Sequence, residues 1–125
     1  MCTADSRVAT EEFLRSQGAA SYVDMLVCGD DPGTHPKPAA HNALKICRAL
    51  GVHPAAAVVV GDTTADLGMG RRAKLGATVG VLTGVGRPSD LDNQADHVVP
   101  SIKHVLPLVL KDYGGRDGAM SDVTS

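Results

Sequence analysis

Two carboxylates stand four residues apart in Gly61-Asp62-Thr63-Thr64-Ala65-Asp66, directly after the apolar run Val58-Val59-Val60. A β-branched run of this kind reads as a fully buried strand, and Gly61 permits a sharp exit from it. Carboxylates just past the end of a parallel strand point into the crevice where α/β sheets bind ligands. Oxygen donors placed there suit a hard divalent cation such as Mg²⁺. A plainer reading is also open, with Asp62 as the N-cap of the next helix and Asp66 as a solvated acid in its first turn. Two further polar positions lie at similar places. Thr3 follows Met1-Cys2, which could be the last residues of a strand, and Lys37 sits in Thr34-His35-Pro36-Lys37-Pro38. Thr3, or Asp5 beside it, could instead cap the first helix, and Lys37 could be a surface lysine in a Pro-rich loop.

The elements that must position these residues alternate between strand and helix. Ser6 to Gln17 reads as a helix with Val8, Phe13 and Leu14 as core contacts and Gly18 as its stop. Tyr22 to Cys28 is a strand candidate, and the Gly-, Pro- and Asp-rich run from 29 to 38 must be loop. Pro38 suits the first turn of a helix running to about Leu50, with Ala40, Leu44, Ile46, Cys47 and Leu50 as its apolar stripe and Gly51 as its end. Ala57–Val60 and Thr78–Leu82 read as strands around a helix at Thr64–Leu75. Leu91–Ala95 is one helical turn, His97–Val99 a short strand, and Ile102–Leu110 a last helix that Pro107 kinks or shortens. From Gly114 onward the chain is small and polar and reads as a tail without fixed structure. The alternation predicts an α/β fold with a parallel sheet and right-handed crossovers.

Composition narrows the function classes. At 125 residues the chain is one domain at most, with no Trp, one Phe and two Tyr, so Ala, Val, Leu and Gly must build the core. The net charge of −2 offers no electrostatic footprint for nucleic acid or an anionic membrane. No apolar run is long enough to span a bilayer, and the first residues show no signal-peptide core. Three widely spaced cysteines (Cys2, Cys28, Cys47) fit free thiols in a reducing, cytoplasmic setting and show no zinc-ligand spacing. The five histidines show no ligand spacing either.

Taken in order, CTADSR, HPKP and GDTTAD, followed by LGATVGVLTG, resemble the haloacid dehalogenase superfamily and, within it, the phosphoglycolate-phosphatase-like members. The resemblance covers residues 1–110 or so. It implies that Thr3 and the backbone beside it at Ala4 bind the substrate phosphate. It implies that Lys37 is the catalytic lysine that steadies the nucleophile and the phosphoryl group, and that Asp62 and Asp66 hold Mg²⁺. The family's defining DxDxT/S segment, whose first Asp becomes an aspartyl-phosphate and whose second is the general acid/base, has no counterpart here. Asp90-Leu91-Asp92 has no strand before it, and Asp30-Asp31 are adjacent rather than alternate.

The resemblance therefore implies a Rossmann-like three-layer α/β/α parallel sheet that lacks the nucleophile strand. Residues 1–112 are expected to form a partial core domain and 113–125 a disordered tail. The chain reads as the C-terminal half of a Mg²⁺-dependent phosphomonoester hydrolase, a fragment or a shortened member, inactive alone and binding Mg²⁺ weakly without the missing aspartates. Its parent substrate would be a small phosphorylated metabolite. The Val58 strand would expose a hydrophobic edge that something must cover, whether Tyr22–Cys28, a second copy of the chain or a complementing chain. The competing class is non-catalytic: a scaffold, or a receiver-like domain using Asp30, Asp31, Asp62, Thr83 and Lys103.

Overall fold

The computed structural model describes residues 1–84, 86–112 and 123–124. Its centre is a parallel sheet of β1 (Val58–Gly61), β2 (Ala77–Val81), β3 (His97–Val99) and β4 (Val123–Thr124), in the order β3-β2-β1-β4. Around it lie α1 (Arg7–Ser16), α2 (His41–Leu50), α3 (Thr64–Arg72), α4 (Pro88–Asp92) and α5 (Val105–Asp112). β1 pairs with β2 along its whole length, from Val58 opposite Ala77 to Gly61 opposite Gly80. Its other edge pairs with β4 at two positions, Val58–Val123 and Val59–Thr124. The edge beside the Val run is thus covered in part by the chain's own residues 123 and 124. Residues 113–122 and 125 of the predicted tail lie outside the described residues.

Side chains leave β1 alternately on its two faces, and each face meets helices. Val58 and Val60 join Ala77, Val79 and Val81 of β2 against Val105 and Val109 of α5. Val59 points the other way, toward Met69 of α3, Ala73 just beyond it, Ala43 and Ile46 of α2, and Cys2 and Val27. This period-two division explains why the run needs no polar alternation, since a sheet covered on both faces has no wet side. It is the expected three-layer α/β/α arrangement. Each fully buried Val contributes about 2 kcal/mol of apolar burial. Thr78 is the polar exception in β2, and Asp96 and Gln94 satisfy it: its N–H donates to Asp96 Oδ2 at 2.9 Å and its hydroxyl to Gln94 O at 3.0 Å.

Helix ends follow local chemistry. Gly51 closes α2 at φ 68°, donating to Arg48 O, while Val52 N–H returns to Cys47 O. The predicted Ile102–Leu110 helix is a 3₁₀ turn at Ile102–His104 followed by α5, with Pro107 in the first turn of α5, where its missing N–H costs nothing. Two expectations fail. Val8 and Phe13 are 75% and 58% exposed, because α1 buries its Thr10–Leu14 stripe instead. Tyr22–Cys28 is not a strand: it is a 3₁₀ turn at Ala20–Tyr22 and a single parallel bridge between Val27 and Cys2. The Met25 carbonyl takes the Met1 ammonium and the Leu26 carbonyl takes Arg7 Nη2, both at 2.8 Å, so neither serves a strand partner.

Candidate functional site

The C-terminal end of β1 opens onto a cavity of about 570 Å³ lined by Thr3, Ala4, Lys37, Asp62 and Asp66, with Thr34, His35, Asn42 and Thr63 among the remaining wall residues. All five residues marked by the family resemblance thus line one cavity, whereas Asp30, Asp31, Thr83 and Lys103 of the receiver-like reading are not among its wall residues. The five arrive by three routes. Thr3 and Ala4 follow the Cys2–Val27 bridge, where Thr3 N–H donates to Val27 O at 2.9 Å. Lys37 comes from the loop before α2. Asp62 and Asp66 come from the β1–α3 turn.

Lys37 is held from two sides. Its Nζ donates to Asp66 Oδ1 at 2.5 Å and to Cys2 O at 3.3 Å, so it ties the loop to α3 and to the first segment. The loop that presents it is stapled by Asn42, a buried α2 residue. Asn42 Nδ2 donates to His35 O at 2.8 Å, and His35 N–H returns to Asn42 Oδ1 at 3.2 Å. Neither the Lys37 nor the Asp66 side chain is more than 15% exposed. An ion pair so shielded keeps most of its attraction, and loss of one partner leaves a stranded charge.

Asp66 is neither a solvated first-turn acid nor a free metal donor. It is 4% exposed and closes a capping box on α3, with Thr63 rather than Asp62 as the N-cap. Its Oδ2 accepts from the Thr63 hydroxyl at 2.9 Å and the Thr63 N–H at 3.3 Å, while Oδ1 takes Lys37. Asp62 is half-buried beside the loop after β2. Both carboxylates lie where a neighbouring glycine leaves room. A Cβ at Gly61 would overlap the Asp66 side chain, and a Cβ at Gly84 would overlap that of Asp62. Thr3 caps nothing helical: Ser6 caps α1, accepting from Ala9 N–H, and the Thr3 hydroxyl oxygen accepts from Asp5 N–H at 3.2 Å.

A second polar cluster braces the first segment against the loop. Arg7 Nε and Nη2 donate to the two oxygens of Asp31 at 2.8 and 2.7 Å, a fork-to-fork pair. Asp31 also accepts from Cys28 N–H at 2.8 Å, and Asp30 accepts from Arg7 N–H at 2.8 Å. The Arg7 hydrogen bonds, then that of Cys28, hold the Asp31 carboxyl well below the usual carboxylate range, while Asp31 and Glu11 push the Arg7 guanidinium up. Burial pushes the Cys28 thiol up, so it stays protonated and inert. The Asp30-Asp31 pair is therefore spent on Arg7, against the receiver-like reading. Asp90 and Asp92 both lie in α4, where residues two apart do not share a face.

The sequence reading offers Asp62 as the cap and misses Thr63; the T-x-x-D spacing from Thr63 to Asp66 is the signal that could have found it. Asn42, Gly84 and the Arg7–Asp31 pair carry no local signal, since each acts on a residue distant in sequence.

A family model for haloacid dehalogenase-like hydrolases matches residues 1–74, the stretch that carries Thr3, Lys37, Asp62 and Asp66. The chain belongs to this family. Among curated relatives, a Dickeya dadantii protein named "Probable phosphatase IndB" is 33% identical over 114 residues, covering 90% of this chain and 44% of that protein. The phosphoglycolate phosphatase of Aquifex aeolicus is 37% identical over 103 residues, covering 72% of this chain and 47% of the enzyme. The chain thus spans about half the length of the curated relatives it matches. Solved structures agree on the fold. A haloacid dehalogenase-like protein of unknown function from Agrobacterium tumefaciens superposes with a TM-score of 0.76 at 21% identity, over 88% of this chain and 52% of that one. A HAD-superfamily hydrolase of Geobacter sulfurreducens gives 0.69 at 22%, over 86% and 46%.

Proposed function

We propose that residues 1–125 form the phosphate-holding half of a Mg²⁺-dependent phosphomonoester hydrolase and do not complete turnover alone. One observation carries this reading: Thr3, Lys37, Asp62 and Asp66, from three separated stretches of sequence, line one cavity in which a buried carboxylate orients the lysine. Phosphoryl transfer depends mainly on positioning and on offsetting charge. Lys37 has spent two N–H donors on Asp66 and Cys2, and its charge stands at the wall to offset that of a phosphoryl group. The Thr3 hydroxyl oxygen is occupied by Asp5 N–H, which leaves its proton to donate to a phosphate oxygen, beside the backbone at Ala4. The cavity volume suits a small phosphorylated metabolite.

The donor set for Mg²⁺ is incomplete. Asp62 supplies a hard oxygen, but Asp66 is engaged by Lys37 and Thr63, and the described residues hold no group of three His, Cys, Asp or Glu side chains that could bind a metal. Mg²⁺ would therefore bind weakly until carboxylates from outside residues 1–125 join Asp62. When bound it would neutralise charge on the transferred group. The nucleophilic Asp of the parent reaction, which carries the aspartyl-phosphate, would come from the same outside source, since among the described residues Asp62 and Asp66 are the acidic residues lining the cavity. A complementing chain meets that need. A homodimer could cover the β1 edge but brings no new aspartate. The cytoplasm is the compartment that fits this reading, and no described helix is long and apolar enough to cross a membrane.

The test is Mg²⁺-dependent hydrolysis of a generic aryl phosphate by the purified chain, with Asp62→Asn as control. Turnover no greater than the control is expected. Turnover that Asp62→Asn abolishes would mean the chain holds its own nucleophile, and the proposal would fall.

A further inference from the structure

Lys37 sits in a loop with little means of tying itself down. Pro36 and Pro38 flank it, and neither has an N–H to donate. The loop is held from outside instead. On one side α3 leaves room at Gly68, where an added Cβ would stand 3.0 Å from that of Pro38. On the other side is Asn42, a buried amide on the α2 face that also buries Ala43, Ile46 and Cys47. An amide on an apolar face is costly unless it is bonded. Here both of its polar groups go to one residue, Oδ1 accepting from His35 N–H and Nδ2 donating to His35 O. The helix gains no cap from it, since Ala40 stands at the N-cap of α2 without a side-chain bond.

His35 is two residues from Lys37, and the residue between them is Pro36, whose φ is fixed. A displacement at His35 is therefore passed on to Lys37 rather than absorbed. The lysine is held at both ends: its ammonium by Asp66 and Cys2 O, and its backbone, through His35, by Asn42. We propose that Asn42 is a positioning residue for phosphate binding, setting where Lys37 stands on the cavity wall and acting on an anion only through that lysine. The inference rests on the reading above that this wall holds phosphate, and it adds a residue to which that reading gives no part. Without the clasp the ion pair with Asp66 would remain, but a loose backbone would present the ammonium. A misplacement of about 1 Å is enough to lose much of the worth of an oriented contact.

The test is a double-mutant cycle on the affinity of the full chain for inorganic phosphate, followed by ³¹P line width. The four proteins are the unmodified chain, Asn42→Ala, Lys37→Met and the double variant, at a temperature where circular dichroism finds each folded. Asn42→Ala should weaken binding about fivefold, although it removes no group that meets the anion. In the Lys37→Met background the same change should cost nothing further, because groups that act through one another do not add. A loss of stability alone leaves the affinity of the folded molecules unmoved. Should Asn42→Ala not fold, Asn42→Ser, which keeps one bond to His35, takes its place with about a twofold loss expected. Losses that add in the double variant would mean that the amide meets the anion itself. Unchanged affinity in the single variant would mean that the clasp does not place the lysine. Either result overturns the proposal. If the unmodified chain binds no phosphate, the functional reading fails, and the ¹⁵N resonance of the Lys37 ammonium then decides the positioning on its own: it should move in Asn42→Ala, and a resonance that stays in place would overturn the proposal.

Discussion

The two walls of the cavity are built by different physics. The wall that carries Asp62 and Asp66 belongs to a sheet whose central strand is buried on both faces and paired on both edges. The wall that carries Thr3 and Lys37 has one β-bridge, a long loop, and polar ties: Arg7 to Asp31, Asn42 to His35, and Lys37 to Asp66. One side is held by apolar burial and the other by charge and hydrogen bonds. The contrast teaches that the site exists because Lys37 crosses from the loosely built wall to the tightly built one.

The largest test of that contrast is in the cores. Leu67, fully buried under the sheet, should cost about 4 kcal/mol when changed to Ala, and Leu14, which anchors α1 at the edge of the other wall, about half as much. Urea denaturation measures both, and equal costs would erase the distinction. Next is the crossing itself. Lys37→Met strands Asp66 in a buried site and should cost about 3 kcal/mol. The double variant Lys37→Met/Asp66→Leu should recover most of that in a double-mutant cycle, and no recovery would mean that the pair is not coupled. Thr63→Ala removes the α3 cap and should cost about 1 kcal/mol, with Thr63→Ser keeping most of it, again by urea denaturation.

The smallest effect is a pH dependence of the polar wall. Asp31 has its folded-state pKa depressed, chiefly by its hydrogen bonds from Arg7. Its contribution to stability is therefore full above the ordinary carboxylate range and is lost as pH falls below it, where the unfolded chain takes up the proton first. The pair is partly exposed, so the contribution is modest and screened by salt. Melting temperatures measured from pH 6 down to pH 2 should fall more steeply for the unmodified chain than for Asp31→Asn. Parallel slopes would show that Asp31 gains nothing from Arg7 in the folded state.

The same contrast explains what could be read from the sequence. The tightly built wall announces itself: the Val58–Val60 run, the Gly61 exit and Asp62–Asp66 are contiguous, and a parallel strand with its crossover helix is a local unit. Lys37 and Thr3 were legible through their order around that unit. The other wall was misread where partners are distant. Tyr22–Cys28 has the composition of a strand, but its carbonyls serve the Met1 ammonium and Arg7, which no periodicity shows. Val8 and Phe13 were assigned to the core by type, whereas α1 turns Thr10 and Leu14 inward. The engagement of Asp66 by Lys37 lies beyond any spacing rule, because the two are 29 residues apart. The β4 pairing was equally hidden, since a two-residue strand in a polar tail has no pattern of its own.

The most direct measurement of the central claim is equilibrium binding of inorganic phosphate, followed by ³¹P line width, to the unmodified chain and to Lys37→Met at a temperature where circular dichroism finds both folded. Loss of the ammonium that faces the cavity should weaken binding by about tenfold, the worth of one charge-assisted contact. Equal binding by the two proteins, or none by either, would contradict the claim that this wall holds phosphate.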